Sequence, residues 1–328
     1  MLRIATRRSA LALWQAEKVR SLLGGAAELV ALQTEGDRIL DRPLAEVGGK
    51  GLFVKELERA LADGRADLAV HSAKDVPFEM SARFKLSAFL AREDPRDALV
   101  APGAKSFENL PRGARVGTSS LRRAVQLLAV RPDLVIVPVR GNVQTRLARA
   151  TGGTVVRGGV EVRPAAGDPQ GPLDAVVLAL AGLRRLGLEQ HVTQILPVEL
   201  SLPAAGQGAI TIEAMQGSPG DAAAAPLDHL STARCVRAER AVLARLAGGC
   251  TVPVAAYAEV GAGGELWLRA ALGGPQDAGA RVLRAEGRGS DPDALGRAVG
   301  EELLARGGGA LLEASRSQAG GLPAPKRA

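Results

Sequence analysis

The chain has 328 residues, enough for two or three separate cores, because a single hydrophobic core stops growing near ~250–300 residues. No apolar run approaches the roughly 18–20 residues of a membrane span, and the start of the chain lacks a signal peptide's apolar stretch and cleavage site, so a soluble cytoplasmic protein is expected. The formal charge of +7 comes with few aromatic residues (5 Phe, 2 Trp, 1 Tyr) and no basic block, which argues against nucleic acid as a partner and for a small acidic molecule. Two cysteines, Cys235 and Cys250, and three scattered histidines offer no metal-ligand spacing, and no metal is expected.

Taken in chain order, short apolar runs alternate with helical patterns. Buried strands are expected at 3–6, 29–32, 68–70, 86–89, 115–117, 134–139 and 175–180. Between them the pattern predicts helices over 9–23 with Ser9 as cap, over 52–62 with Phe53, Leu57, Ala60 and Leu61 on one face, and over 121–130. This is an α/β plan, whose strand-to-helix junctions are where open sheets bind ligands. Segment 150–172, rich in Gly, Pro and Arg, reads as a surface hairpin or a long mobile loop. After about residue 226 a helix over 230–246, strands at 252–260 and 265–272 joined by a Gly-rich turn, and a helix over 293–306 predict a smaller α+β domain. The tail from Gly320 reads as disordered.

Three junctions share a grammar. At Val116–Arg123 a strand runs through Thr118, Ser119 and Ser120 into a helix whose first turn carries Arg122 and Arg123. Cations there oppose the helix macrodipole at roughly 0.3–1 kcal/mol each, unless an anion compensates. The alternative is that a serine caps the helix and the arginines reach into water. Arg7 and Arg8 precede Ser9 in the same way, and Arg140-Gly141-Asn142 precedes a helix carrying Arg146 and Arg149. Three such junctions argue for a ligand with several carboxylates, since guanidinium pairs carboxylate bidentately. His71-Ser72-Ala73-Lys74-Asp75-Val76-Pro77 ends a strand in a polar turn, which makes Asp75 a candidate acid, base or cation stabiliser, or simply a turn-forming Asp. His71 reads as a core or supporting histidine. Gly48-Gly49-Lys50-Gly51 lacks Walker spacing, so no nucleotide is expected; Lys50 is read as sitting on a loop over a cleft. Among 42 basic residues only 7 are Lys, and Lys50, Lys55 and Lys74 fall within one short stretch, a weak pointer to function. The setting of Cys250, between a Gly-Gly turn and a strand, gives by itself little reason to expect reactivity.

Together Gly-Gly-Lys-Gly-Leu-Phe-Val-Lys-Glu-Leu-Glu (48–58), His-Ser-Ala-Lys-Asp-Val-Pro (71–77) and Gly-Thr-Ser-Ser-Leu-Arg-Arg (117–123) resemble the porphobilinogen deaminase family, with further matching segments in order along nearly the whole chain. The resemblance implies two periplasmic-binding-protein-like (type II) α/β domains with mixed sheets and a small α+β C-terminal domain. It places domain 1 at 1–92 and 204–226, domain 2 at 93–203, and domain 3 at 227–319. It implies a monomeric cytoplasmic transferase without an obligate protein partner, condensing four porphobilinogen molecules head to tail to hydroxymethylbilane, with loss of ammonia through an azafulvene, in porphyrin and heme synthesis. A dipyrromethane cofactor would be bound through a thioether to Cys250, with Asp75 catalytic. Lys74, Asp75, Thr118, Ser120, Arg122, Arg123 and Arg146 would bind the cofactor. Arg7, Ser9, Gln15, Arg140, Gln207, Phe53 and Lys50 would serve the substrate. Ala10 and Glu46 depart from residues common in the family, Pro and Lys. A cleft protein that binds anions without chemistry is the competing expectation, and it predicts no covalent adduct.

Overall fold

The computed structural model describes residues 1–34, 54–152, 155–157, 160–162, 171–246, 252–274 and 280–317. The first lobe is a five-stranded sheet in the order β2-β1-β3-β12-β4, made of β1 (Leu2–Arg7), β2 (Ala27–Leu32), β3 (Leu68–Ser72), β4 (Phe84–Phe89) and β12 (Ile210–Met215). β1 pairs in parallel with β2 and β3, whereas β12 is antiparallel to both of its neighbours. The sheet is therefore mixed, and its last-inserted strand arrives from far along the chain. Helices α1 (Ala10–Leu22) and α2 (Lys55–Ala62) cover it, α2 burying Leu57, Ala60 and Leu61 as its apolar spacing requires. Strand β3 is buried over Leu68–His71, the continuous pattern of a strand covered on both faces.

The second lobe repeats the plan in the order β11-β5-β10-β6-β7, with β5 (Asp97–Val100), β6 (Arg115–Gly117), β7 (Val135–Val137), β10 (Ala175–Ala179) and β11 (Gln194–Ile195). Helices α3 (Leu121–Val130), α4 (Val143–Thr151) and α5 (Leu180–Arg185) follow β6, β7 and β10. Within 150–172, β8 (Val155–Arg157) and β9 (Val160–Val162) pair antiparallel, so this insertion contains a hairpin, one of its two expected forms. The chain crosses between lobes at 90–96 and again at 196–209. The second crossing is tight. Gly206 and Gly208 both have positive φ, and a Cβ on Gly208 would come within 2.3 Å of the Glu93 carbonyl oxygen on the first crossing. Only glycine fits there.

After α6 (Pro219–Ala224), helix α7 (Leu230–Arg245) leads to a third sheet of β13 (Val254–Val260), β14 (Leu266–Gly273) and β15 (Val282–Gly289), backed by α7 and α8 (Pro292–Leu303). The Gly-rich hairpin falls where the sequence placed it, while β15 and the terminal α9 (Gly309–Ser317) were not foreseen. No helix among the described residues is long and apolar enough to cross a membrane.

Candidate functional site

On the first lobe, β1 delivers Arg7 to the start of α1, where Ser9 caps the helix by accepting from Ala12 N at 3.3 Å. β3 ends in a single 3-10 turn, Ala73–Asp75, and Pro77 holds Val76 extended beyond it. Arg7, Ser9, Gln15, Val54, His71, Ser72 and Asp75 line one pocket. Gln15 donates to the Ser72 hydroxyl at 2.9 Å, fixing the floor. His71 Nε2 lies 2.8 Å from Glu213 Oε2, both side chains buried, so this histidine is the supporting group the sequence suggested. Asp75 is different: its carboxylate has no hydrogen-bonding partner among the described residues.

On the second lobe, neither reading of the Thr118–Arg123 junction is complete. Ser120 does cap α3, accepting from Arg123 N at 3.5 Å, and Ser119 bridges to Val139. The arginines, however, do not reach into water; each is 6% exposed. The compensating anion is supplied by the protein itself. Asp97, fully buried, accepts from Arg122 Nη1 (2.8 Å) and Nη2 (3.3 Å), from Arg123 Nε (3.0 Å) and Nη2 (2.7 Å), from Ser201 Oγ (2.7 Å) and from Gln207 Nε2 (2.8 Å). Burial would raise its pKa, but Arg122 and Arg123 hold it well below the usual carboxylate range. One carboxylate shared by two guanidinium groups leaves a buried positive excess, which is costly without a further anion. Arg122 also donates to Leu202 O and Arg123 to Val177 O, so three of the five N–H of each are used, and two of each have no acceptor among the described residues.

The two walls converge electrostatically. Arg146, from α4, is pushed down to about 10 by burial together with Arg123 and Arg140, and it also feels Asp75 and Arg7 from the first lobe. Lys74 is pushed down to about 8 by burial, with Asp75 opposing and Arg123 assisting. Among the described residues, six cations (Arg7, Lys74, Arg122, Arg123, Arg140 and Arg146) and two carboxylates, Asp75 and Asp97, thus act on one another here. Thr118 is buried and its hydroxyl accepts from Ser120 N at 3.2 Å. Both Gln207 donors are engaged by Pro95 O and Asp97, and its carbonyl accepts from Lys74 at 3.4 Å, so little of this amide remains for a ligand. Cys250, Phe53 and Lys50 lie outside the described residues.

An unfolded lysine keeps its proton to about 10.5, whereas folded Lys74 releases it near 8. The folded state therefore carries the full penalty below pH 8 and sheds it as the pH climbs from 8 to 10.5. In adduct-free protein, Lys74→Gln is expected to stabilise the fold at pH 7 by on the order of 1–3 kcal/mol. Thermal unfolding followed against pH checks this: the gain should shrink above pH 8, and an equal or lower midpoint at pH 7 would refute it.

Two groups with a place in the site were given no role from sequence. Asp97 is one, hidden as the second charge of Pro95-Arg96-Asp97. Arg185 is the other, buried at the end of α5, donating to Gly208 O at 2.6 Å and stacked over Trp14. A larger cavity, about 570 Å³, lies elsewhere, between the two crossings and the third sheet; its charges are already spent on each other, Asp94 with Arg96 and Glu259 with Arg269.

The fold and site define a two-lobed α/β protein built on two mixed five-stranded sheets, with a cation-rich cleft and one carboxylate, that of Asp75, unengaged by any described residue. Residues 2–221 match the family model "Porphobilinogen deaminase, dipyromethane cofactor binding domain", and residues 233–305 match "Porphobilinogen deaminase, C-terminal domain". The chain belongs to the porphobilinogen deaminase family, and is an enzyme of tetrapyrrole synthesis with a dipyrromethane cofactor. Among solved structures it is similar to protein PG110 from Staphylococcus aureus (14% identity, 73% of this chain and 91% of that one, TM-score 0.39). It is also similar to a putative methionine-binding lipoprotein from Bacillus subtilis (12% identity, 69% and 89%, TM-score 0.38). Against the B. pertussis BvgS periplasmic domain (16% identity, TM-score 0.36) the match takes in 69% of this chain and 39% of that one.

Proposed function

We propose that the chain is a transferase that condenses four porphobilinogen molecules head to tail to hydroxymethylbilane, releasing ammonia, as a cytoplasmic monomer. The observation that carries this reading is the convergence of cations from both lobes beside Asp75, whose carboxylate no described protein group engages. The residues present fit a carboxylate-bearing dipyrromethane: the cleft has a positive excess, and Arg122 and Arg123 each keep two N–H without an acceptor among the described residues. When bound, that group supplies the primer pyrrole whose free α-carbon takes part in the new C–C bond.

Cys250 holds the cofactor by a thioether. Lys74, Arg122, Arg123 and Arg146, with the Thr118 and Ser120 hydroxyls, bind its acetates and propionates, while Arg7, Ser9, Gln15 and Arg140 take those of the incoming substrate. Gln207, Phe53 and Lys50 also serve the substrate. Asp75 accepts from pyrrole N–H, stabilises the positive charge that develops on the ring as the C–N bond breaks, relays the proton it takes from that N–H to the leaving amine, and takes up the α-carbon proton displaced when the C–C bond forms. Domain 1 (1–92 with 204–226) then carries the acid, domain 2 (93–203) the arginines and domain 3 (227–319) the anchoring thiol. Cys235 is a poor rival anchor, because it is buried in α7 and burial pushes its thiol up to about 11.

Intact-mass spectrometry tests the reading. The purified protein should exceed its sequence mass by one dipyrromethane, and Cys250→Ser should lose both adduct and turnover. An unmodified protein that turns over porphobilinogen, or one with no turnover at all, would sink it.

A further inference from the structure

Asp97 stands at the one point where both interlobe crossings and the arginine helix meet. It follows directly on the first crossing as the first residue of β5, and it is fully buried. From the second crossing it accepts Ser201 Oγ at 2.7 Å and Gln207 Nε2 at 2.8 Å. From α3 it accepts two N–H groups of Arg122 and two of Arg123. The same crossing is locked to the arginine helix a second time, because Arg122 Nη1 donates to Leu202 O at 2.6 Å, and Gln126 exchanges bonds with Leu202 N (2.9 Å) and O (3.2 Å). Gln207 then carries the connection back to the catalytic turn, its Oε1 accepting from Lys74 Nζ at 3.4 Å beside Asp75.

A guanidinium is a rigid fork, so fixing one edge of it fixes where its remaining N–H groups point. Two forks clamped on one carboxylate must move together. Any shift of the second crossing moves Ser201 and Gln207, which hold the same carboxylate, and so re-aims both forks. The setting of the second crossing and the presentation of the arginine N–H groups are then coupled.

We infer that Asp97 is a positioning residue that ties the setting of the two crossings to the aim of Arg122 and Arg123. The inference rests on the proposed carboxylate binding by those two arginines. Asp97 touches no ligand and enters no chemical step. Its work is to make the arginine face correct only when both crossings are seated.

The test compares Asp97→Asn and Ser201→Ala with wild type, all purified as holoprotein, by intact mass, by KM and kcat for porphobilinogen, and by thermal midpoint. Asp97→Asn removes the charge that holds both forks; KM is expected to rise about tenfold or more while kcat falls less, and the share of protein carrying the adduct should drop. Ser201→Ala deletes one bond to Asp97 at a fully buried hydroxyl, leaving both arginines and the catalytic turn intact. It should raise KM about two- to fivefold, with a midpoint within a few degrees of wild type. If Asp97→Asn folds and keeps KM within twofold at full adduct occupancy, the inference is overturned. If it does not fold, Ser201→Ala decides, and an unchanged KM there overturns it. A wild-type protein lacking adduct and turnover would instead defeat the reading of the site, which this comparison reports separately.

Discussion

Asp75→Asn is expected to slow elongation by about 10²–10⁴-fold while leaving the dipyrromethane adduct in place on intact mass. The size follows from what the carboxylate does. Asn keeps the shape and can still accept a hydrogen bond, but it cannot balance a cation developing in a pyrrole ring or carry a proton to the leaving amine. The effect should be mainly functional, because the Asp75 carboxylate has no hydrogen-bonding partner among the described residues and its replacement removes from the fold only its support of the Lys74 charge. A thermal midpoint close to wild type is the companion result. Asp75 also supports the charge on Lys74, which burial already pushes down to about 8. In the variant that support is gone, Lys74 loses its proton at lower pH, and KM should begin its alkaline rise earlier than in wild type. Single-turnover rates and KM measured between pH 6 and 9 check both parts; elongation at the wild-type rate would remove Asp75 from the chemistry.

Most of this site could be read from residues, and the parts that could not share a cause. Strand ends and helix starts are local, so Arg7, Ser9, Thr118, Ser120, Arg122 and Arg123 fell at the junctions where periodicity changes. β12 was harder. Its Glu213 breaks an apolar run and argues against a buried strand, yet the side chain is fully buried because His71, on the neighbouring strand, partners it from 142 residues away in sequence. β5 is only four residues long and opens on a charge, Asp97, that reads as a loop residue until its six donors from α3 and the second crossing are seen together. Non-local pairing, which no window of sequence contains, hid both. The same non-locality changed the meaning of the arginine junction: the macrodipole argument was sound in asking for an anion, but the first anion to answer it lies in the protein. What still points to a ligand is the excess left after that pairing.

The third lobe is held to the other two through a second buried carboxylate, and its loss should cost more stability than any other single change considered for this chain. Glu239 on α7 is fully buried and accepts from Arg92 Nη1 (2.5 Å) and Nη2 (3.1 Å), from Gly206 N (2.7 Å) and from Ala258 N (2.9 Å). Arg92 belongs to the first crossing, Gly206 to the second, and Ala258 to β13, so one side chain joins three segments. Glu239→Ala leaves the Arg92 guanidinium buried and unbalanced beside Tyr257, over which it stacks at 5.1 Å, and strands two backbone N–H groups. The expected loss is about 3–5 kcal/mol, on the order of 10 °C in thermal midpoint. A loss under about 1 kcal/mol would place the pair with exposed ion pairs and refute the assignment. The double variant Arg92→Met with Glu239→Leu separates the contributions. It removes both charges at once, so the part of the loss due to the orphaned guanidinium is recovered. The Gly206 and Ala258 N–H groups stay without an acceptor, and a residual loss of about 1–3 kcal/mol is expected from them. Full recovery would mean that the carboxylate serves only the arginine; no recovery would mean that the backbone bonds, which seat the second crossing beside Gln207, are what Glu239 is buried to make.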